Sequence, residues 1–312
     1  MVLRRYIILF LSFVASLEVM AQYDAHFSHY WAMESAFNPA AVGKTDKVNV
    51  LAAYSMSLTG YENSPKTMFA GGDLPIKMNE SAHGIGLTLL NDDIGLFSHK
   101  NMAVQYSYRH KLFGGFLSGG LKIGFLSEGF KGSEVDLETP DDPAFTKTDV
   151  NGSSVDLGFG IYYYNNIWYA GLSAQHLNSP KIEIGEKQEF DVSSIYYFTA
   201  GYNIRMKNPF LTIQPSALCR TDGVAFRADI GGRLTYSNDN KLFYAGLSYS
   251  PNNSVTILLG GNFHGISVGY SYEAYTSAIS LGNGGHEIFI GYQTDVNLGK
   301  KGKNLHKSVR LL

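Results

Sequence analysis

Apolar and polar residues alternate with a period of two along most of the chain. Between positions 101 and 112, Met102, Val104, Tyr106, Tyr108 and Leu112 share one face, and Asn101, Gln105, Ser107, Arg109 and Lys111 share the other, with His110 alone breaking the apolar row. The same arithmetic holds from 224 to 236, where Val224, Phe226, Ala228, Ile230, Leu234 and Tyr236 oppose Arg227, Asp229, Arg233 and Thr235. A helix would scatter these residues around its circumference, whereas a strand sorts them onto two faces. Applied throughout, this test predicts strands near 47–58, 65–76, 83–92, 99–112, 116–128, 153–163, 167–177, 195–205, 209–219, 224–236, 241–250, 253–261, 264–274 and 286–296. Most have the roughly 9–11 residues that a tilted strand needs to cross a bilayer. Pro215 is costly inside the ladder expected at 209–219, and 253–261 ends on Gly260 and Gly261.

A soluble β-sandwich also alternates, but its outer face should be polar. Here the outer face would carry Ile266, Val268, Tyr270 and Tyr272, or Ile288, Ile290 and Tyr292, while Ser267, Ser271, Gln293 and Asp295 would point the other way. Apolar-out with polar-in suits lipid around a lumen, so the expected fold is all-β: an antiparallel transmembrane β-barrel of about 14 strands. An even count returns both ends of the barrel to one side. Short connections follow even-numbered strands (112–115, 164–166, 206–208, 237–240) and the long ones follow odd-numbered strands (129–152, 178–194, 275–285), with 77–82 longer than its side requires. Since outer-membrane barrels keep short turns on the periplasmic side, both termini are expected there, in the bacterial outer membrane.

The first residues explain how such a chain is exported. Arg4 and Arg5 precede an apolar run from Tyr6 to Val19, and Val19-Met20-Ala21 supplies the small residues of a cleavage site before Gln22. Residues 1–21 are therefore expected to be a signal peptide. No later stretch offers the roughly 20 apolar residues of a spanning helix. With 21 Tyr, 19 Phe and 34 Gly, the mean hydropathy is nonetheless only -0.08, as expected when lumen-facing polar residues dilute lipid-facing ones. Cys219 has no second cysteine to pair with, and a net charge of -2 gives no reason to expect nucleic acid as a partner.

The mature chain divides into 22–46, a barrel over 47–298 and a tail over 299–312. The first part carries Phe27, Tyr30, Trp31, Met33 and Phe37, then Asn38-Pro39-Ala40-Ala41-Val42-Gly43. It is too aromatic for an idle linker, and it is expected either to plug the lumen or to lie under the barrel against a partner; Pro39 and Gly43 would set its turn. The tail carries Lys300, Lys301, Lys303, His306, Lys307 and Arg310, as a solvated extension or as a docking strip for a periplasmic partner or anionic lipid heads.

Catalytic patterns do not survive their context. Gly265-Ile266-Ser267-Val268-Gly269 matches a nucleophile elbow in its letters, but that chemistry needs a sharp strand-to-helix turn, and Ser267 lies in an alternating strand. A lipid hydrolase would have to group Ser267, His264 and Asp229. His286-Glu287 lacks the second histidine of a zinc helix, because position 290 is Ile290. Gly84-Ile85-Gly86 and Gly158-Phe159-Gly160 lack the third glycine and helix of a pyrophosphate loop and read as close packing or bends within strands. Glu134, Asp136, Glu138, Asp141, Asp142 and Asp149 crowd the loop 129–152 without a calcium-loop spacing, so a solvated loop is expected. No catalytic residue, metal or cofactor is expected, and the chain is not read as an enzyme.

Three elements together, Asn38-Pro39-Ala40 with Gly43, the loop Asn91-Asp92-Asp93-Ile94-Gly95, and the ending from Gly285-His286-Glu287-Ile288 to Lys307-Ser308-Val309-Arg310, resemble the PorP/SprF family of the type IX secretion system over essentially the whole mature chain. The final Leu311-Leu312 departs from the Phe expected in many relatives. The resemblance implies an outer-membrane protein needed to export or surface-attach proteins with carboxyl-terminal sorting domains. It also implies partners: the PorK and PorN ring, the PorL and PorM motor, a peptidoglycan-associated adaptor such as PorE, and the exported cargo. It supplies no catalytic residues. Asn38, Pro39, Gly43, His286, Glu287 and Arg310 are the candidate partner-docking residues. The competing expectation is a plugged transporter of a small hydrophobic solute.

Overall fold

A computed structural model describes residues 24–78, 81–134, 148–184, 188–239, 241–277 and 283–295. The expected signal peptide, the basic tail with Arg310, and Asp136, Glu138, Asp141 and Asp142 of the acidic loop lie outside the described residues.

The strands are β1 (Lys47–Met56), β2 (Lys66–Met78), β3 (Ser81–Ile94), β4 (Phe97–Leu112), β5 (Gly115–Phe130), β6 (Val150–Tyr164), β7 (Trp168–Gln175), β8 (Lys181–Ile184), β9 (Gln188–Asp191), β10 (Ile195–Tyr202), β11 (Ile204–Arg205), β12 (Leu211–Thr221), β13 (Phe226–Asn238), β14 (Lys241–Ser250), β15 (Ser254–Phe263), β16 (Ile266–Tyr275) and β17 (Gly285–Asp295). Each barrel strand pairs antiparallel with its neighbour in sequence, and β1 closes the ring on β17 from Lys47↔Asp295 to Met56↔His286. With β11 continuing β10, and β8 and β9 forming a separate hairpin, the result is a closed barrel of 14 strands. Closure leaves no unpaired edge, which lipid would not tolerate.

Alternation sets which face meets lipid. In β4, Val104 is 57% exposed while its neighbour Gln105 is 1% exposed. Met102, Tyr106 and Tyr108 follow Val104 outward, and Ser107 and Arg109 follow Gln105 into the lumen. In β13 the outward row is Phe226, Ile230, Leu234 and Tyr236. Val224 falls short of the strand, in a turn where its N–H donates to Asp222 Oδ1 at 2.9 Å.

Several strands run further than the pattern alone predicts. The connection expected over 77–82 shrinks to 79–80, because Met78 pairs with Ser81. The stretch Asn91–Ile94 is the end of β3 rather than a loop; Ile94 pairs with Phe97 across a turn in which Gly95 takes φ 61°. Connections at one rim (79–80, 113–114, 165–167, 206–210, 239–240, 264–265) are all short, and the long ones (57–65, 131–149, 176–194, 276–284) are all at the other. The loop 176–194 contains the unexpected hairpin β8–β9, which folds inward so that Ile182, Ile184 and Val192 cover Leu126 of the lumen wall. Pro215 is accommodated in one direction only. Its ladder to β13 is unbroken through Pro215↔Gly232, whereas the ladder to the preceding strand stops between Gly201↔Ser216 and Ile204↔Ile213. A proline nitrogen has no hydrogen to donate there, which is why β10 and β11 are separate segments.

Candidate functional site

Residues 24–46 run inside the barrel, from the long-loop end at Asp24 to the short-turn end at Lys44. Their apolar side chains serve two walls. Phe27 and Met33 pack against Ala53, Phe69 and Phe289 on β1, β2 and β17, and Tyr30 and Phe37 against Ile195, Tyr197 and Leu218 on β10 and β12. Local structure is short: helix α1 (Glu34–Phe37), then a 3-10 turn at Pro39–Ala41. Asn38 joins them with an extended backbone, its Oδ1 accepting from Ala40 N at 2.9 Å. An asparagine followed by proline suits that junction, since one caps the free N–H of the turn and the other has none to cap. Gly43 ends the turn at φ 64°, where a side chain would be strained, and its N–H donates to Asp73 Oδ2 at 2.8 Å.

An irregular segment inside a barrel must have its backbone groups satisfied by something other than a ladder. Wall side chains do this in sequence. Arg220 donates to the carbonyls of Asp24 and Ala25 at 2.9 and 3.0 Å, and Gln105 to that of Ser35 at 2.8 Å. Ser173 and Gln175 both reach Phe37 at 2.7 Å. Ser118 reaches Ala40 at 2.7 Å, Ser107 reaches Val42 at 2.6 Å, and Arg109 reaches Lys44 at 2.7 Å.

The wall facing Asn38–Val42 lacks side chains where the plug comes closest. A Cβ on Gly160 would lie 2.0 Å from Asn38 Oδ1, one on Gly120 2.3 Å from Ala40 N, and one on Gly84 2.3 Å from the Val42 carbonyl oxygen. Gly84, Gly86 and Gly160 thus make room for a turn of the plug, a closer approach than the side-chain packing expected of them, whereas Gly158 lies against the lumen side chain of Gln175, as that packing predicts.

Charged contacts pin the upper part of the plug. Glu287 accepts from Ser28 N at 2.8 Å, from His29 N at 2.9 Å and pairs with His29 Nδ1 at 2.7 Å. His176 bridges Asp156 at 2.9 Å and Asp24 at 3.0 Å, Asp156 also meets Lys122 at 2.9 Å, and Tyr197 hydrogen-bonds Asp24. Burial presses the His176 imidazole toward its neutral form, but the Asp24 charge and the hydrogen bonds to Asp156 and Asp24 outweigh it and push the group up to about 9. Burial likewise opposes the Asp24 charge, yet His176 and Tyr197 hold its carboxyl well below the usual carboxylate range. His26 lies 3.3 Å from Asp229, which also meets Arg227 at 3.2 Å.

Of the residues singled out from sequence, Asn38 and Pro39 are buried in the lumen with Gly43 close by, and Glu287 points inward to clamp His29. Its neighbour His286 points the other way, to Tyr270 OH at 2.8 Å near the long-loop rim, so the two are not one site. Ser267, His264 and Asp229 are not assembled: Ser267 Oγ accepts from Asn262 at 2.6 Å, and Asp229 is engaged by His26 and Arg227. Sequence reading passed over Glu34, Asp156, His176 and Arg220. Arg220 and Asp156 sit at lumen-facing positions of strands and were within reach of the alternation rule; His176 lies in a loop with no such signal.

Among solved structures the fold is similar to the CymD monoaromatic hydrocarbon channel, at a TM-score of 0.51 with 10% identity over 88% of this chain and 95% of that one. It is also similar to the toluene transporter TodX of Pseudomonas putida, at 0.49 with 8% identity over 88% and 95%, and to a Pseudomonas aeruginosa FadL homologue, at 0.48 with 12% identity over 83% and 92%. Identities this low speak for fold alone. No curated protein sequence matches the chain. The model of a family described as type IX secretion system membrane protein PorP/SprF matches residues 19–292, nearly the whole length, and the chain therefore belongs to the PorP/SprF family.

Proposed function

We propose that this outer-membrane barrel is a docking component of the type IX secretion system, supporting export or surface attachment of proteins with carboxyl-terminal sorting domains. The observation that carries this reading, beside the family, is a lumen filled by the chain's own residues 24–46, which suits an assembly platform better than an open pore. In this reading the short-turn rim, where Lys47 and Asp295 meet at 3.8 Å, faces the periplasm, and the carboxyl-terminal end of the barrel works on that side, whereas the plug starts from the opposite, long-loop rim, where Asp24 meets His176. The tail with Arg310 meets the periplasmic PorK and PorN ring, the PorL and PorM motor, or a PorE-type adaptor. Asn38, Pro39, Gly43 and Glu287 contribute by seating the plug, and His286 belongs to the surface offered to cargo at the other rim. Deleting the gene in its own cell and comparing secreted and surface proteins by mass spectrometry tests this. Selective loss of sorting-domain proteins with an intact envelope is expected; unchanged secretion would sink the proposal.

A second reading, transport of a small hydrophobic solute past a movable plug, is favoured by the fold shared with the CymD hydrocarbon channel. It requires solute uptake into liposomes that contain the purified barrel alone.

A further inference from the structure

Toward the short-turn rim, plug and wall leave a cavity of about 450 Å³, within the roughly 300–1,000 Å³ range of small-ligand sites. Trp31 of the plug, Arg233 of β13 and Tyr244 of β14 line it, and Phe69 and Phe289 give it an apolar side. Arg233 lies over the Trp31 ring, 3.6 Å from its centroid, with Tyr244 edge-on to the same ring at 5.1 Å. The guanidinium is aimed from behind: its Nε donates to Gln214 Oε1 at 2.7 Å, and Gln214 is itself oriented by Asn203 at 2.8 Å.

Two cations and two carboxylates line this cavity, Lys44 and Arg233 with Glu34 and Asp73, but they do not pair off evenly. Its two carboxylates are already engaged, Glu34 by Lys44 and Tyr162, and Asp73 by Gly43 N and Asn49. Lys122, Arg109 and Arg227 have carboxylate partners of their own. Among the described residues Arg233 makes no ion pair, and Arg233 Nη1, Trp31 Nε1 and Tyr244 OH are each buried without a hydrogen-bond partner. A buried cation with free donors beside it is costly unless an anion completes it. Asp73, which meets only neutral donors, offsets Arg233 in the formal count without pairing with it, so the site suits at most one added negative charge, a monoanion rather than a dianion.

We propose that this cavity binds a ligand carboxylate entering from the short-turn rim, with Arg233 as the charge partner, Trp31 and Tyr244 as further donors, and Phe69 and Phe289 against the ligand's carbon body. The carboxylate can come from a small organic acid or from a peptide. The inference rests on the lumen alone and stands or falls separately from the secretion reading.

Trp31 is its own reporter once Trp168→Phe removes the second tryptophan. The full-length protein in non-ionic detergent is titrated with hexanoate, hexanamide, inorganic phosphate, and a short peptide with either a free or an amidated carboxyl end, following tryptophan emission. Saturable binding of hexanoate or the free-acid peptide is expected, about tenfold or more weaker for the matching amide and for phosphate. Arg233→Gln should weaken it by at least about tenfold, with Tyr244→Phe giving a smaller loss should Arg233→Gln fail to fold. Tighter binding of the peptide assigns the carboxylate to a polypeptide, and tighter binding of hexanoate assigns it to a small acid. Absence of saturable binding by either acid, equal binding of amide or phosphate, or binding unchanged in a folded Arg233→Gln protein would overturn the proposal.

Discussion

Glu287 shows how much can rest on one lumen side chain. Its two oxygens take the N–H groups of Ser28 and His29 and the His29 ring, so its loss leaves three buried donors without an acceptor. Glu287→Ala is expected to weaken seating of the plug by about 3–5 kcal/mol, the usual consequence of removing one partner of a buried ionic contact, while Glu287→Gln, which keeps an acceptor, should lose less. Protection of residues 24–46 against added protease reports this directly; equal protection in Glu287→Ala would show that other contacts suffice. The sequence placed Glu287 on a lumen-facing position and in a family element, but nothing local to it indicates that its partner lies at His29, since the contact depends on where the plug threads.

At the scale of the element, a strand here is two surfaces with opposite requirements. Val104 and Ile123 are 57% and 61% exposed toward lipid and lie opposite one another on β4 and β5. Val104→Arg is therefore expected to destabilise the barrel by about 2–4 kcal/mol, measured as equilibrium folding into lipid vesicles. A cost near zero would contradict a lipid-facing β4. The alternation of single residues was enough to read these strands. Their ends were not, because a tight turn such as Gly95-Leu96 lets a ladder continue through Asn91–Ile94, where the polar residues suggested a loop. The β8–β9 hairpin escaped for a related reason: its short strands are held by covering Leu126, a contact from far along the chain.

For the molecule as a whole, the consequence is a barrel closed by its own chain. The Asp24 end of the plug depends on charge, and its pH window follows from two opposite shifts. His176 is raised from 6.5 to about 9, so its contribution is complete below about 6.5 and disappears as pH climbs through about 9. Asp24 is depressed below 3.8, so its contribution is present above that value and is lost on strong acidification. Planar-bilayer conductance of the purified protein should accordingly be low at pH 7 and rise above about pH 9, with Asp24→Asn conducting already at pH 7. Equal conductance at pH 7 and 10 would show that His176 does not hold the plug.

The amino-acid sequence by itself determined the strand period, the outward apolar rows, the barrel with its short-turn and long-loop rims, and the aromatic segment before it. These are properties of neighbouring residues, and lipid or lumen acts on each strand in the same way along its length. Only the tertiary structure decided that Asn38–Val42 would lie on Gly84, Gly120 and Gly160, that Glu287 would take His29, and that Arg233 would stand beside Trp31 with no ion pair among the described residues. Each of these joins residues distant in the chain, and closure of the ring, not any local pattern, brings them into reach.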